Sequence, residues 1–178
     1  MDNGESSYRR FLEGDKSAFD AILRLYLDSL VFFVDRYVRD IYTAEDIAID
    51  VFTYVLMHPQ RYNFKSSLKS YLFMLGRCKA IDHLRRRSRL QQVELNENEC
   101  ADFKSLEETL IESERKRALS SAIEALPQDM RAAVHLVHFE GLSYEEAGAV
   151  LKKNQKQIGN LLYRAKRALK ESLVGEEF

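Results

Sequence analysis

The sequence predicts an all-α protein of two helical domains joined by a flexible linker, the second a four-helix domain containing a helix-turn-helix. Three observations carry that prediction. Glycine and proline are scarce, 7 and 2 among 178 residues, which favours long helices over a turn-rich β architecture. Apolar residues recur at spacings of three and four behind residues that cap helices. Charge falls in blocks although the formal net charge is only −1. Residues 61–90 sum to +8 and residues 152–170 to +7, whereas residues 91–114 sum to −7 and residues 12–60 to −5. Two basic surfaces divided by an acidic stretch suggest two anion-binding units and a link that avoids them.

The elements follow in order. Residues 8–14 read as a short helix. Asp15 resembles an N-cap for a long helix whose apolar stripe runs through Ala18, Phe19, Ile22, Leu23, Tyr26, Leu30, Phe33, Val34 and Tyr37. Thr43, with Asp46 three residues on, is a variant of the capping box. It opens a helix through Ile47, Val51, Phe52, Val55 and Leu56 that Pro59 ends. A polar and aromatic loop covers 60–66. Ser67 then caps a helix over 68–89 with Tyr71, Leu72, Leu75, Ala80, Ile81 and Leu84 on its inner face. Residues 1–90 make one domain, large enough to bury a core.

Residues 91–112 are acidic and weakly periodic, hence a linker, and 113–178 form the second domain. Its first helix, from Glu114, carries Leu119, Ala122, Ile123 and Leu126. Pro127 suits the first position of the next helix, which runs through Ala133, Val134, Leu136 and Val137 to Gly141 at C′. Ser143 and Glu146 form a capping box before a two-turn helix with Gly148, Val150 and Leu151. Lys152 and Lys153 make a turn. Asn154, with Gln157, caps a last helix to about 173. Two capped helices starting 11 residues apart, the second long and basic, describe a helix-turn-helix.

A helix entering the major groove reads bases mainly with its N-terminal residues. Lys156, Gln157 and Asn160 are placed for that work: Gln and Asn suit adenine, Lys suits guanine. Arg164 and Lys166 suit phosphates, while Leu161, Leu162, Ala165 and Leu169 lie on or near the buried side. Gly159 has two readings, a close approach to DNA backbone or simple drift. In the first domain, Arg85, Arg86, Arg87 and Arg89 follow Tyr62, Phe64, Tyr71 and Phe73. Cations beside rings suit single-stranded DNA, since an unstacked base regains about 1–3 kcal/mol on an aromatic side chain. Phe73, and by the same reasoning Tyr71, can instead be core. Glu45, Asp46 and Asp50 beside Ile49 and Phe52 form an acidic rim around apolar residues, which suits docking to a basic protein helix.

Several function classes fall away. No Gly-rich phosphate loop, zinc-hydrolase helix or nucleophile elbow is present, so no enzyme is expected. His135 and His138 could share a metal but have no third ligand nearby in sequence. No metal, cofactor or small-molecule substrate is expected. Cys78 and Cys100 lack metal-ligand spacing, and nothing in the pattern asks for a disulfide. Without a signal peptide or an eighteen-residue apolar run, a soluble cytoplasmic protein is expected.

Four stretches in order resemble the sigma-70 family of bacterial RNA polymerase sigma factors, in its short extracytoplasmic-function (ECF) form. They are Ala44-Glu-Asp-Ile-Ala-Ile-Asp-Val-Phe52, then Leu68-Lys-Ser-Tyr-Leu-Phe-Met-Leu-Gly-Arg77 continuing to Arg87, then Leu126-Pro-Gln-Asp-Met-Arg131, and finally Glu140-Gly-Leu-Ser-Tyr-Glu-Glu146 with Tyr163-Arg-Ala-Lys-Arg-Ala-Leu169. The resemblance implies partners: core RNA polymerase, through the coiled coil of its largest subunit and its flap, promoter DNA, and an anti-sigma factor. It implies docking by Asp46, Ile49, Asp50 and Phe52. It implies −10 contacts by Tyr62, Asn63, Phe64, Lys65, Ser66, Lys69, Tyr71, Arg77, Cys78, Arg85, Arg86 and Arg87, with a flipped base held at the 62–67 loop. It implies −35 contacts by Ser143, Tyr144, Asn154, Lys156, Gln157, Asn160, Tyr163, Arg164 and Lys166. The acidic linker would thread polymerase channels. Cys78 stands where the family often has Asn, Tyr71 where Trp is frequent, Lys152 where Gly often makes the turn, Gly159 where Lys is common and Ile49 where Gln is frequent. These departures leave the promoter sequence unread. The competing expectation is a stand-alone helix-turn-helix regulator that binds duplex operator DNA.

Overall fold

The computed structural model describes residues 4–93 and 112–174, so most of the acidic linker, with Cys100, lies outside the described residues. Eight α-helices and no strand occur among them: α1 Glu5–Leu12, α2 Lys16–Val38, α3 Ile41–Met57, α4 Leu68–Val93, α5 Glu112–Glu124, α6 Gln128–Val134, α7 Tyr144–Leu151 and α8 Gln155–Val174. A 3₁₀ turn at Pro59–Arg61 leads into the loop before α4, and a π-helical turn at His135–Phe139 extends α6.

Side chains set most of the boundaries. Asp15 accepts from the Ser17 N–H at 3.0 Å and starts α2. The α3 start differs from the expected Thr43. Asp40, in extended backbone, accepts from the Thr43 N–H at 3.2 Å, so the helix begins at Ile41 and Thr43 sits in its first turn. Ser67 Oγ accepts from the Ser70 N–H and caps α4, which runs past the expected end at 89. Pro127 is the N-cap of α6 rather than its first residue. After the π turn, Gly141 takes φ +69° and the Leu142 N–H returns to the Leu136 carbonyl at 2.9 Å. A positive φ of this kind is what favours glycine at a helix end. Of the three expected capping boxes the one at Thr43 does not form, while the other two do: Ser143 with Glu146, and Asn154 with Gln157 in reciprocal bonds of 2.8 and 2.9 Å.

In the first domain α2 is the central helix. Ile22, Leu30, Phe33 and Val34 are buried on it against Val51 and Val55 of α3 and Leu68, Leu72 and Phe73 of α4. Gly76 marks a close crossing of α4 over α2, since a Cβ there would lie 2.8 Å from Leu30 Cδ1. In the second domain, Met130, Ala133, Leu136, Val150, Leu151, Ile158, Leu162 and Ala165 form the interior. Leu119, expected inside, is 41% exposed, whereas Ala122 and Ile123 at the end of α5 and Leu126 just after it are buried. Gly148 explains the tight turn between α7 and α8. A Cβ there would stand 2.5 Å from the Lys153 carbonyl oxygen.

The two domains pack on each other. Arg131, 3% exposed, donates to the carbonyls of Glu124 at 2.6 Å and Arg36 at 2.9 Å. Arg36 and Glu124 also form an ion pair between domains. The rings of Phe33 and His135 face each other at 5.8 Å. At the start of α4, Lys69 reaches Glu140, just after the π turn, and Ser67 reaches α7.

Candidate promoter and polymerase surfaces

The second helix of the helix-turn-helix is held by Ile158, Leu162 and Ala165, which are buried. That orientation leaves Asn154, Lys156, Gln157, Asn160, Tyr163, Arg164 and Lys166 exposed. They do not form one surface. Gln157, Asn160 and Arg164 line one shallow groove together with Lys153 and Leu161. Tyr163 and Lys166 line a second groove with Tyr144, His138 and Leu169. The first groove joins amide and cationic groups at the helix N-terminal half, where base edges are read. Lys153, outside the expected set, belongs to it and pairs with Asp129 at 2.8 Å. No close protein neighbour requires glycine at 159, since a Cβ there would meet only the Tyr144 ring at 3.7 Å.

In the first domain the expected aromatic platform differs. Tyr62 is 3% exposed, and its hydroxyl donates to the Ser66 carbonyl at 2.7 Å. Its ring packs against Tyr8 at 5.1 Å, Phe64 at 4.6 Å and Tyr71 at 5.1 Å. Tyr62 therefore braces the loop from inside and offers no stacking face. Burial pushes its hydroxyl pKa up, with the Glu5 carboxylate adding to the shift. Phe73 is core, and Phe64 and Tyr71 are half-buried. The exposed residues of the loop are Arg61, Asn63, Lys65 and Ser66, with Asn63 Oδ1 accepting from the Lys65 N–H at 3.1 Å. Farther along α4, Arg85, Arg86, Arg87 and Arg89 are exposed. Arg77 and Cys78 are half-buried, and the Arg77 guanidinium faces the buried Tyr37 hydroxyl, which burial pushes up to about 12. Arg77 thus belongs to the helix packing rather than to an open cationic face.

Lys69 is also engaged. Its ammonium donates to the Glu140 carbonyl at 2.7 Å and lies 2.7 Å from the Glu140 carboxylate. His135 Nε2 stands 3.2 Å from the other carboxylate oxygen. Burial pushes Glu140 up, but the bonds from His135 and Lys69 outweigh it and leave the carboxyl below its ordinary pKa. Glu146 behaves alike. Burial raises it, while the Ser143 N–H, Ser67 and Ser70 lower it further. Ser67 Oγ donates to Glu146 at 2.7 Å. The capping carboxylate of α7 therefore also holds the first turn of α4, a double duty invisible in local sequence.

On α3, Asp46, Ile49 and Asp50 are exposed as expected, but Phe52 is 3% exposed and packs edge-on against Phe19. The helix register turns Phe52 toward α2. Tyr42, Leu56 and Met57 take its place outside, so Tyr42, Ile49 and Leu56 form an exposed apolar stripe flanked by Glu45, Asp46 and Asp50. Their spacing of seven residues was a signal available in the sequence. Asp50 pairs with Lys79 at 3.3 Å.

Comparison with known proteins fits this arrangement. The profile of sigma-70 region 2 matches residues 22–90, and that of sigma-70, region 4 matches residues 116–169. The RNA polymerase sigma-H factor of Pseudomonas aeruginosa is 28% identical over 174 residues, covering 92% of this chain and 90% of its own length. The ECF RNA polymerase sigma factor SigM of Bacillus subtilis is 24% identical over 153 residues, with 85% and 92% covered. Among solved structures, the sigma factor RpoE in complex with the anti-sigma factor NepR from Bartonella quintana has a TM-score of 0.72 at 25% identity, covering 89% of this chain and 98% of that one. The two profiles together span more than half of the chain, which belongs to the sigma-70 family and is similar to its ECF members. It is an RNA polymerase sigma factor that directs promoter-specific transcription, binding core polymerase and promoter DNA. Sigma factors are non-catalytic DNA-recognition subunits. A stand-alone regulator would account for the second domain and leave the region 2 match unexplained. No helix among the described residues is long and apolar enough to cross a membrane.

Proposed function

We propose that residues 1–90 dock on core polymerase and take the −10 element, that 91–112 link the domains, and that 113–178 read the −35 element. The stripe of α3, with Ile49, Asp46 and Asp50, meets the polymerase. Asn63, Lys65 and Ser66 face the opened strand, and Arg85, Arg86 and Arg87 hold phosphates. Gln157, Asn160 and Lys156 meet −35 base edges, with Arg164 on the backbone. The protein acts in the cytoplasm, as a DNA-recognition subunit without an active site of its own. An anti-sigma factor is a partner of the RpoE relative, and we extend that class of partner to this chain.

One observation carries the reading. The first turn of α4, with Ser67 and Lys69, is covered by Glu146 and Glu140 of the other domain. These contacts hold the domains of the isolated chain against each other, and a larger assembly sets the spacing at which both DNA surfaces act together. A mobility shift with a promoter fragment separates the readings. Little retardation by the chain alone, and a stable complex once core polymerase is added, is expected. Tight duplex binding by the chain alone, unchanged by polymerase, would favour the stand-alone regulator.

A further inference from the structure

The loop at 59–66 draws its shape from a helix outside the family match. The region 2 profile begins at residue 22, whereas α1 spans Glu5–Leu12. Tyr8 of α1 is fully buried, and its hydroxyl donates to the Pro59 carbonyl at 2.8 Å. Its ring meets Tyr62 and Phe64 edge-on at 5.1 and 6.0 Å. Arg9, exposed, places its guanidinium carbon 4.3 Å from the centre of the Phe64 ring. Phe64 itself has φ +58°. Bulky residues rarely adopt that left-handed conformation, and it persists where surrounding groups hold it. Here they are Arg9, Tyr8 and Tyr62. The flanking Asn63 and Lys65 are left facing outward.

Helix α1 is itself seated firmly. Gly4 caps it at φ +75°, and a Cβ there would come within 2.7 Å of the Tyr26 ring. The loop is therefore clamped between α1 below and the Arg9 cation on its flank.

We propose that α1 is a template for the promoter-strand loop, with Tyr8 and Arg9 as positioning residues that set which unpaired base the loop accepts. The proposal rests on the reading of that loop as the −10-strand site. Arg9 acts through Phe64, whose backbone conformation fixes the directions of Asn63 and Lys65. Removing Arg9 frees Phe64 and blurs base choice without touching polymerase docking or −35 contact.

The test uses the assembled holoenzyme and four duplex promoters that differ only in the non-template base at the captured −10 position. Open-complex formation is measured for the unaltered protein, Arg9→Ala, Arg9→Lys, Tyr8→Phe and a loop control, Asn63→Ala with Lys65→Ala. Arg9→Ala should compress the spread among the four bases by about 2–5-fold, the worth of one exposed cation–π contact. Arg9→Lys should restore part of it, and Tyr8→Phe should compress it by loosening Pro59. Holoenzyme affinity and thermal midpoint are followed in parallel; affinity should not change for the Arg9 variants, and the midpoint should fall by no more than the loss of that one contact. If the loop control abolishes the spread while the Arg9 and Tyr8 variants keep it, the template role is wrong and the loop reading stands. If the loop control also keeps the full spread, the loop reading fails and the proposal falls with it.

Discussion

Gln157 shows how one residue can serve fold and recognition together. Its Oε1 accepts from the Asn154 N–H, leaving its amide NH₂ for a base edge. Gln157→Glu keeps the accepting oxygen and adds a charge favoured at a helix N-terminus. The thermal midpoint should therefore hold, while preference at the contacted −35 base moves away from adenine by roughly 1–3 kcal/mol. Competition binding of holoenzyme to −35 variants would show it, and a fall in thermal midpoint without a change of preference would make Gln157 a cap only. Two glycines give a second contrast. Gly148→Ala forces a Cβ against the Lys153 carbonyl and should cost about 1–3 kcal/mol, as overpacking does. Gly159→Ala meets only a ring at ordinary contact distance and should gain up to about 1 kcal/mol of helix propensity. Denaturant unfolding of the two variants checks both signs. At this scale the capping boxes of α7 and α8 were legible because they are local in sequence, whereas the α3 cap fell on Asp40 instead of Thr43. The need for glycine at 148 was not, because it arises from a backbone five residues away that returns only in three dimensions.

At the scale of the element, α3 and α4 separate what periodicity reveals from what packing decides. The three-and-four spacing on α3 located the helix and its acidic edge, and the seven-residue spacing of Tyr42, Ile49 and Leu56 marks the apolar residues that face out. Phe52 is buried on Phe19, and Tyr42 and Leu56 are exposed with Ile49. The two groups should behave differently. Phe52→Ala should lose about 3–5 kcal/mol of folding stability, as large core truncations do, measured by urea unfolding. Asp46→Lys with Asp50→Lys should leave unfolding nearly unchanged, since both carboxylates are exposed, but weaken polymerase binding. Unaltered polymerase affinity in a folded double variant would remove α3 from the docking site. The basic end of α4 was likewise legible as charge. Of its aromatic neighbours, Tyr62 was read as a stacking face but is turned inward by burial, while Phe73 is core, the reading its apolar position already favoured.

For the whole molecule, two helical domains with an acidic stretch between them were visible in the charge blocks. Their closure was not, because its contacts join residues 71 and 79 positions apart. Glu140 and Glu146 hold that closure with carboxyls below their ordinary pKa. A depressed folded-state pKa contributes stability that is fully present above a glutamate's usual value, about 4.3, and is lost as pH falls through the lowered one. His135 and Lys69 are the cationic or titratable groups facing Glu140. A fluorescence pair across the domains should thus report closure at neutral pH and opening on acidification below that range. Glu140→Gln with Glu146→Gln should show weaker closure at neutral pH and flatten the response. An acid response identical in the double variant would place the latch elsewhere.

The most direct measurement is of transcript 5′ ends made by core polymerase on fragments of the host genome, with and without this protein. The account predicts new starts that appear only with the protein, share two sequence elements at fixed spacing, and change at the upstream element when Gln157 and Asn160 are replaced. No protein-dependent starts, from a folded chain and active core polymerase, would contradict it.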